Sequence, residues 1–124
     1  GNSLNENIDI GQIEGGFIQG LGWLTCEELY FSQEGKLLTT GPSTYKLPGS
    51  RDVPPIFNVK LLENADNDEK TIFRSKAVGE PPLLLAISHF LALKEAIKAS
   101  LPSSKAELLN SPATPSEILK AIYA

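Results

Sequence analysis

The chain has 124 residues, 41% of them hydrophobic and 21% charged, with a net charge of −4 and one cysteine. That apolar content suits one ordered domain and argues against disorder throughout. An acidic balance with no basic block argues against nucleic acid, and one cysteine excludes an internal disulfide or a multi-cysteine zinc or iron–sulfur site within the chain.

The amino terminus, Gly1-Asn2-Ser3-Leu4-Asn5, lacks the basic and apolar regions of a signal peptide. The longest apolar run, around Leu83 to Ile87, is far too short to span a bilayer. With no Met in the sequence, the chain is expected to begin inside a longer polypeptide. After a polar lead-in over 1–8, Asp9 is the expected N-cap, with Gln12 as its capping-box partner. Ile10, Ile13, Phe17, Leu21 and Leu24 then recur at helical spacing and predict a helix over 10–28. Leu29-Tyr30-Phe31 and Lys36–Thr40 flank Ser32-Gln33-Glu34-Gly35, a hairpin signal with glycine at the turn. Residues 41–55 carry Pro42, Pro48, Pro54 and Pro55 and read as an irregular loop. Phe57, Val59 and Leu61 alternate as a half-buried strand, and an acidic turn over 64–70 leads to a partner strand over 71–78. Pro81-Pro82 opens a second helix with Leu83, Ile87, Phe90, Leu91 and Ile97 on a wide buried face, ended by Pro102-Ser103-Ser104. Thr114 as N-cap, Pro115 at N1 and Glu117 at N3 start a short terminal helix. Strands grouped between helices define an α+β class.

Gly11, Gly15, Gly16, Gly20 and Gly22 fall within or beside the first helix. Each costs about 1 kcal/mol relative to alanine in a helix interior, so something must offset a few kcal/mol. Gly15 and Gly16 lie between Gln12 and Gln19 on one face, leaving two amides separated by bare backbone. Two readings follow. The glycines admit a closely packed neighbour, with Gln12 spent on capping, or the stripe faces a ligand rich in ring nitrogens and carbonyls.

Gly79-Glu80-Pro81-Pro82 forms a strand-to-helix corner. Pro81 disfavours helical angles at Glu80, which is therefore expected to be extended, at a helix end whose dipoles favour a carboxylate. A fixed carboxylate on a rigid corner is what a general base requires, although a first-turn glutamate that merely caps a helix has the same signature. Lys76 pairs with Glu80 or an anionic substrate, or is a solvated strand residue.

Several separated segments, in order, resemble the end of the molybdenum subunit of the xanthine dehydrogenase/oxidase family. They are Gly11–Phe17, Gln19-Gly20, Glu27-Glu28-Leu29, Gly41–Pro48 and Ser75–Leu83, so the likeness covers residues 1–100. Trp23-Leu24-Thr25 is closer to bacterial members. The resemblance implies that the chain is the C-terminal, incomplete part of a molybdopterin-binding domain. It implies that Glu80 is the base that takes a proton from a water-derived oxygen nucleophile as purines are hydroxylated (hypoxanthine and xanthine to urate). It further places Gln12 on the molybdopterin and Val78 and Gly79 beside the metal, with no metal ligand from this chain. Electrons would leave through the pterin to 2Fe-2S clusters and FAD on other domains or subunits.

The expected partners are the rest of the molybdenum-binding subunit, those redox domains and a purine, in a cytoplasmic enzyme without membrane or nucleic-acid contacts. Without the upstream segments the chain alone is expected to be inactive, and its exposed apolar surface gives it a route to self-association. The alternatives are an aldehyde oxidase-like hydroxylase, a non-catalytic docking module, and a small-molecule binder that leaves Glu80 idle. His89 stands where the family carries a small apolar residue, and is read as packed or surface-exposed. Cys26, followed by Glu27 and Glu28, is read as an inert half-buried thiol. Residues 101–124 match the family less clearly, and within them the segment 111–115 resembles the family's terminal helix and reads as structural.

Overall fold

A computed structural model describes residues 1–101 and 103–124. Helix α1 spans Glu6–Thr25, and so starts four residues before the sequence expectation and ends three before it. Asn5, not Asp9, is its cap: the Asn5 Oδ1 accepts the Ile8 N–H at 3.2 Å. Asparagine and aspartate cap about equally well, so the added turn decides between them, because each further residue gains a backbone bond once the helix is nucleated. Asp9 falls in the first turn, where it favours the dipole and accepts the Ser3 hydroxyl. At the other end the Gly22 carbonyl accepts both the Cys26 and Glu27 N–H, at 3.0 and 2.9 Å. That double acceptance closes the helix.

Between α1 and residue 80 the chain is mostly irregular. The hairpin forms at its turn, where Gly35 takes φ +79° and the Ser32 N–H donates to the Lys36 carbonyl at 2.8 Å. It is held by a single antiparallel bridge, Phe31 to Leu37. Tyr30 and Leu29 are each 59% exposed, and a two-stranded hairpin with no layer behind it is marginal in water. Residues 57–61 form no ladder either, yet Phe57, Val59 and Leu61 are half-buried while their neighbours are exposed. The period-two pattern is therefore present without a partner strand. Phe57 rests on α1, its ring 5.2 Å from that of Phe17. Where a strand over 71–78 was expected, Ile72–Arg74 make a 3-10 turn, with Phe73 and Arg74 at φ 50° and 55°. The Asn2 N–H and side-chain amide donate to the Arg74 and Phe73 carbonyls, at 3.0 and 3.2 Å, and occupy acceptors that a ladder would need.

Pro81–Ala86 form a 3-10 turn that runs directly into α2, Ile87–Ser100. Helix α3, Pro115–Tyr123, starts as its sequence predicts, the Thr114 hydroxyl accepting the Glu117 N–H at 3.4 Å. The core lies at this end. Ile97, Ala106, Leu109, Ala113 and Ala121 are buried together, with Phe90, Leu93, Ile118 and Ile122 packed on them. The expected wide apolar face of α2 is thus divided: Ile97 is buried, but Ile87 and Leu91 are 49% and 55% exposed. The stop expected over 102–104 includes Pro102, which lies outside the described residues. The terminal segment also closes α1, because the Ala113 N–H donates to the Leu24 carbonyl at 2.7 Å and the Ser111 hydroxyl reaches the Trp23 carbonyl at 3.5 Å. Two orphan acceptors of the helix end are satisfied in this way. Among the described residues no helix is long and apolar enough to cross a membrane.

Candidate functional site

Four of the five glycines of α1 divide into two groups, while a Cβ at the fifth, Gly22, would meet the Glu27 carboxylate and the Pro48 ring. A Cβ at Gly16 would lie 3.1 Å from the Pro82 Cβ and 3.3 Å from the Leu83 nitrogen. At Gly20 it would collide with the Leu83 carbonyl oxygen and lie 2.8 Å from the Ala86 Cβ. These two positions are bare because the Pro81–Ala86 turn is seated on them. Gly11 and Gly15 have nothing within 4 Å of such a Cβ, so their face is open. The packing reading of the stripe holds at Gly16 and Gly20, and the face at Gly11 and Gly15 is uncovered.

This seating orients the corner. From Pro82 over Gly16 to Ala86 over Gly20, the turn advances toward the C-terminal end of α1. Glu80, two residues before Pro82, is accordingly placed toward the N-terminal side of Gly16. Gln12 lies on that side, one helical turn before Gly16. The attachment of Asn2 to Phe73 and Arg74 keeps the segment before the corner near the start of α1. Glu80 and Gly79 thus immediately precede a turn that is seated on the helix carrying Gln12.

Glu80 itself differs from expectation. Its backbone is helical, at φ −75° and ψ −17°, not extended. The Leu83 N–H donates to the Glu80 carbonyl at 2.8 Å, and this bond, with the packing on Gly16 and Gly20, outweighs the bias that a following proline imposes. The side chain is exposed and makes no cap hydrogen bond. The capping alternative therefore finds no support. Gln12 is exposed and, with Asn5 as the cap, is likewise released from the capping box. Gln19 is half-buried on the same helix. At Gly79 the nearest atom to a Cβ is the Pro81 Cδ at 4.0 Å, so this backbone is also approachable, and Val78 is 47% exposed.

A second attachment shapes the other end of α1. The Tyr45 hydroxyl donates to the Glu27 carboxylate at 2.6 Å, and this bond to an anion holds the phenol above its ordinary range. Lys46 pairs with Asp52 at 3.0 Å, and the Gly49 N–H donates to the same carboxylate at 2.7 Å. Both donors, Gly49 first, hold Asp52 below the usual aspartate value. Sequence reasoning missed these long-range pairs, as it missed the Ser111 and Ala113 closure, because no local pattern announces them. The division of the glycines was closer to hand: Gly16 and Gly20 share the apolar side of the helix with Ile13, whereas Gly11 and Gly15 share the polar side.

The profile of the molybdopterin cofactor-binding domain family matches residues 1–54, the part that carries Gln12 and the open glycines. Relatives of similar sequence match most of the chain. Xanthine dehydrogenase/oxidase of Felis catus is 54% identical over 98% of this chain and 10% of its own length. Xanthine dehydrogenase of Dictyostelium discoideum is 55% identical over 81% of this chain and 7% of its own length. Xanthine dehydrogenase 2 of Arabidopsis thaliana is 50% identical over 99% of this chain and 10% of its own length. The chain belongs to the xanthine dehydrogenase family, and it spans about a tenth of the length of the curated relatives it matches.

Proposed function

We propose that this chain supplies the general base, Glu80, and one wall of the cofactor site of a xanthine dehydrogenase-type molybdenum hydroxylase acting on purines. The observation that supports the reading is the seating of the Pro81–Ala86 turn, which Glu80 immediately precedes, on Gly16 and Gly20 of the helix that carries Gln12.

The residues present fit a molybdopterin. Gln12 offers both donors and an acceptor, as pterin ring nitrogens and carbonyls require, and Gly11 and Gly15 leave the helix beside it bare. Val78 and Gly79 offer approachable backbone immediately before Glu80. When bound, the molybdenum cofactor supplies the two-electron redox chemistry, and 2Fe-2S clusters and FAD on other domains carry the electrons on. What this chain contributes is proton transfer. The Glu80 carboxylate, exposed at the corner, would accept the proton of the water-derived nucleophile as oxygen is transferred to an electron-poor purine carbon, whose two electrons the bound cofactor would accept.

The surroundings of Glu80 support a larger assembly. Ile72 and Phe73 are each 77% exposed before it, and Leu84, Leu85, Ile87 and Leu91 are 49% to 62% exposed after it. So much apolar surface on both flanks of a polar corner is suited to burial against the rest of the molybdenum-binding subunit. The half-buried alternation over 57–61 supports an α+β class for the complete domain, in which that segment pairs with strands outside this chain. We place the enzyme in the cytoplasm, and expect the chain alone to be inactive. Molybdenum content of the assembled protein tests the division of roles: Gln12→Ala lowers it, and Glu80→Gln leaves it unchanged. Full metal content in Gln12→Ala would remove Gln12 from the cofactor site.

A further inference from the structure

Glu80 stands at one end of a continuous helical rod. The Pro81–Ala86 turn passes into α2 without a break, the junction residues Ala86 and Ile87 holding helical φ angles of −65° and −57°. Near its start the rod rests on Gly16 and Gly20 through Pro82, Leu83 and Ala86. A seat so close to one end leaves the other end free to pivot unless something else holds it.

Ala113 is that second hold. Its side chain is 3% exposed and shares the buried core with Ile97, the buried residue of α2. Its N–H donates to the Leu24 carbonyl at 2.7 Å, at the end of α1. One residue thus ties the far end of the rod to the far end of the helix on which the rod is seated. The tie is braced on both sides. The Ser111 hydroxyl reaches the Trp23 carbonyl at 3.5 Å, and the Lys105 N–H donates to the Ala121 carbonyl at 2.9 Å. Ala106, Ala113 and Ala121 supply most of the buried core around Ile97, so added bulk there displaces the backbone of α2 rather than a flexible side chain.

We propose that Ala113 is a positioning residue, which sets the place of the Glu80 carboxylate by fixing the far end of this rod. The proposal rests on the reading of Glu80 as the base. At about 1.5 Å per α-helical and 2.0 Å per 3-10 residue, Ile97 lies about 20 Å beyond Leu84, the middle of the seat, and Glu80 about 8 Å before it. A shift of about 1 Å at Ile97 then moves Glu80 about 0.4 Å the other way. Since a misplacement of about 1 Å costs about a hundredfold in rate, the expected loss is about sixfold.

Turnover per bound molybdenum in the assembled enzyme tests this, with Ala113→Val made in the wild type and in Glu80→Gln. In the wild type Ala113→Val lowers kcat about sixfold at full molybdenum content. In Glu80→Gln it changes nothing further, because the group it displaces is no longer a base. Ile97→Val, which returns part of the added volume, restores part of the rate. The crystal structure of the loaded Ala113→Val enzyme shows the Glu80 carboxyl displaced relative to Gln12. Should Ala113→Val fail to assemble, Ala113→Gly keeps the N–H, loosens the core contact and gives a loss of the same kind. An unchanged kcat, an undisplaced carboxyl, or equal losses in the two backgrounds would overturn the proposal. So would rate and molybdenum falling in proportion, the mark of a merely structural role. Wild-type turnover in Glu80→Gln alone is a different failure, since it removes the base reading itself and with it this role of Ala113.

Discussion

Alanine at Gly20 and alanine at Gly15 should move the stability of the same helix in opposite directions. Each replacement gains about 1 kcal/mol of helix propensity. At Gly15 no atom lies within 4 Å of the added methyl, so the whole gain is retained. At Gly20 the methyl meets the Leu83 carbonyl oxygen and stands 2.8 Å from the Ala86 Cβ. A backbone carbonyl cannot swing aside as a flexible side chain does, so the overpacking cost lies near the upper end of about 1–3 kcal/mol. The net effect at Gly20 is a loss of about 2 kcal/mol, and the two variants differ by about 3 kcal/mol. Urea unfolding followed through the single tryptophan, Trp23 on α1, reads this directly. With a slope of about 1.5 kcal/mol per molar, the midpoints separate by about 2 M, Gly15→Ala above wild type and Gly20→Ala below it. Coincident midpoints, or a Gly20→Ala protein as stable as wild type, would show that the Pro81–Ala86 turn is not seated on Gly20. The position of Glu80 would then lose its support.

Three further outcomes follow from the same structure. Leu109→Ala opens the core at a residue 3% exposed and should cost about 2–5 kcal/mol in the same urea assay. Asn5→Ala should cost about 1 kcal/mol and shorten α1 by circular dichroism, whereas Gln12→Ala leaves both stability and helicity unchanged. Asp52 should titrate below its ordinary 3.8 when its carboxyl carbon is followed by NMR. A folded value below the unfolded one means that its stabilising contribution is present above pH 3.8 and lost as the pH falls through the lower folded value. Lys46→Gln should raise that value only part of the way, because the Gly49 N–H, the larger cause, remains.

Much of the site was legible because its signals are local. A glycine, a carboxylate and two prolines in succession announce a corner, and the Thr114-Pro115 start of α3 needs only its own side chains. The identity of the α1 cap was less legible, since Asn5 and Asp9 are chemically near-equivalent and only the added turn distinguishes them. The backbone of Glu80 could not be read locally at all. The preference imposed by Pro81 is real, and it is overcome by Leu83 and by contacts with glycines far away in the chain. The strands over 57–61 and 71–78 fail to form ladders for a related reason. A period-two pattern records which face is buried, as Phe57 against Phe17 shows, and says nothing of whether a partner strand is at hand. The loop over 67–75 is held by Asn67 and Asn2, whose amides carry no sequence pattern that reveals it.

The most direct test of the central claim is turnover by the assembled, cofactor-loaded enzyme with Glu80→Gln, measured beside wild type at equal molybdenum content. Loss of a general base lowers kcat by about 10²–10⁴, and the amide keeps the shape of the corner while removing its proton acceptor. That loss, with the metal retained, is the predicted result. A kcat within a few-fold of wild type would contradict the account, because the proton would then have another acceptor.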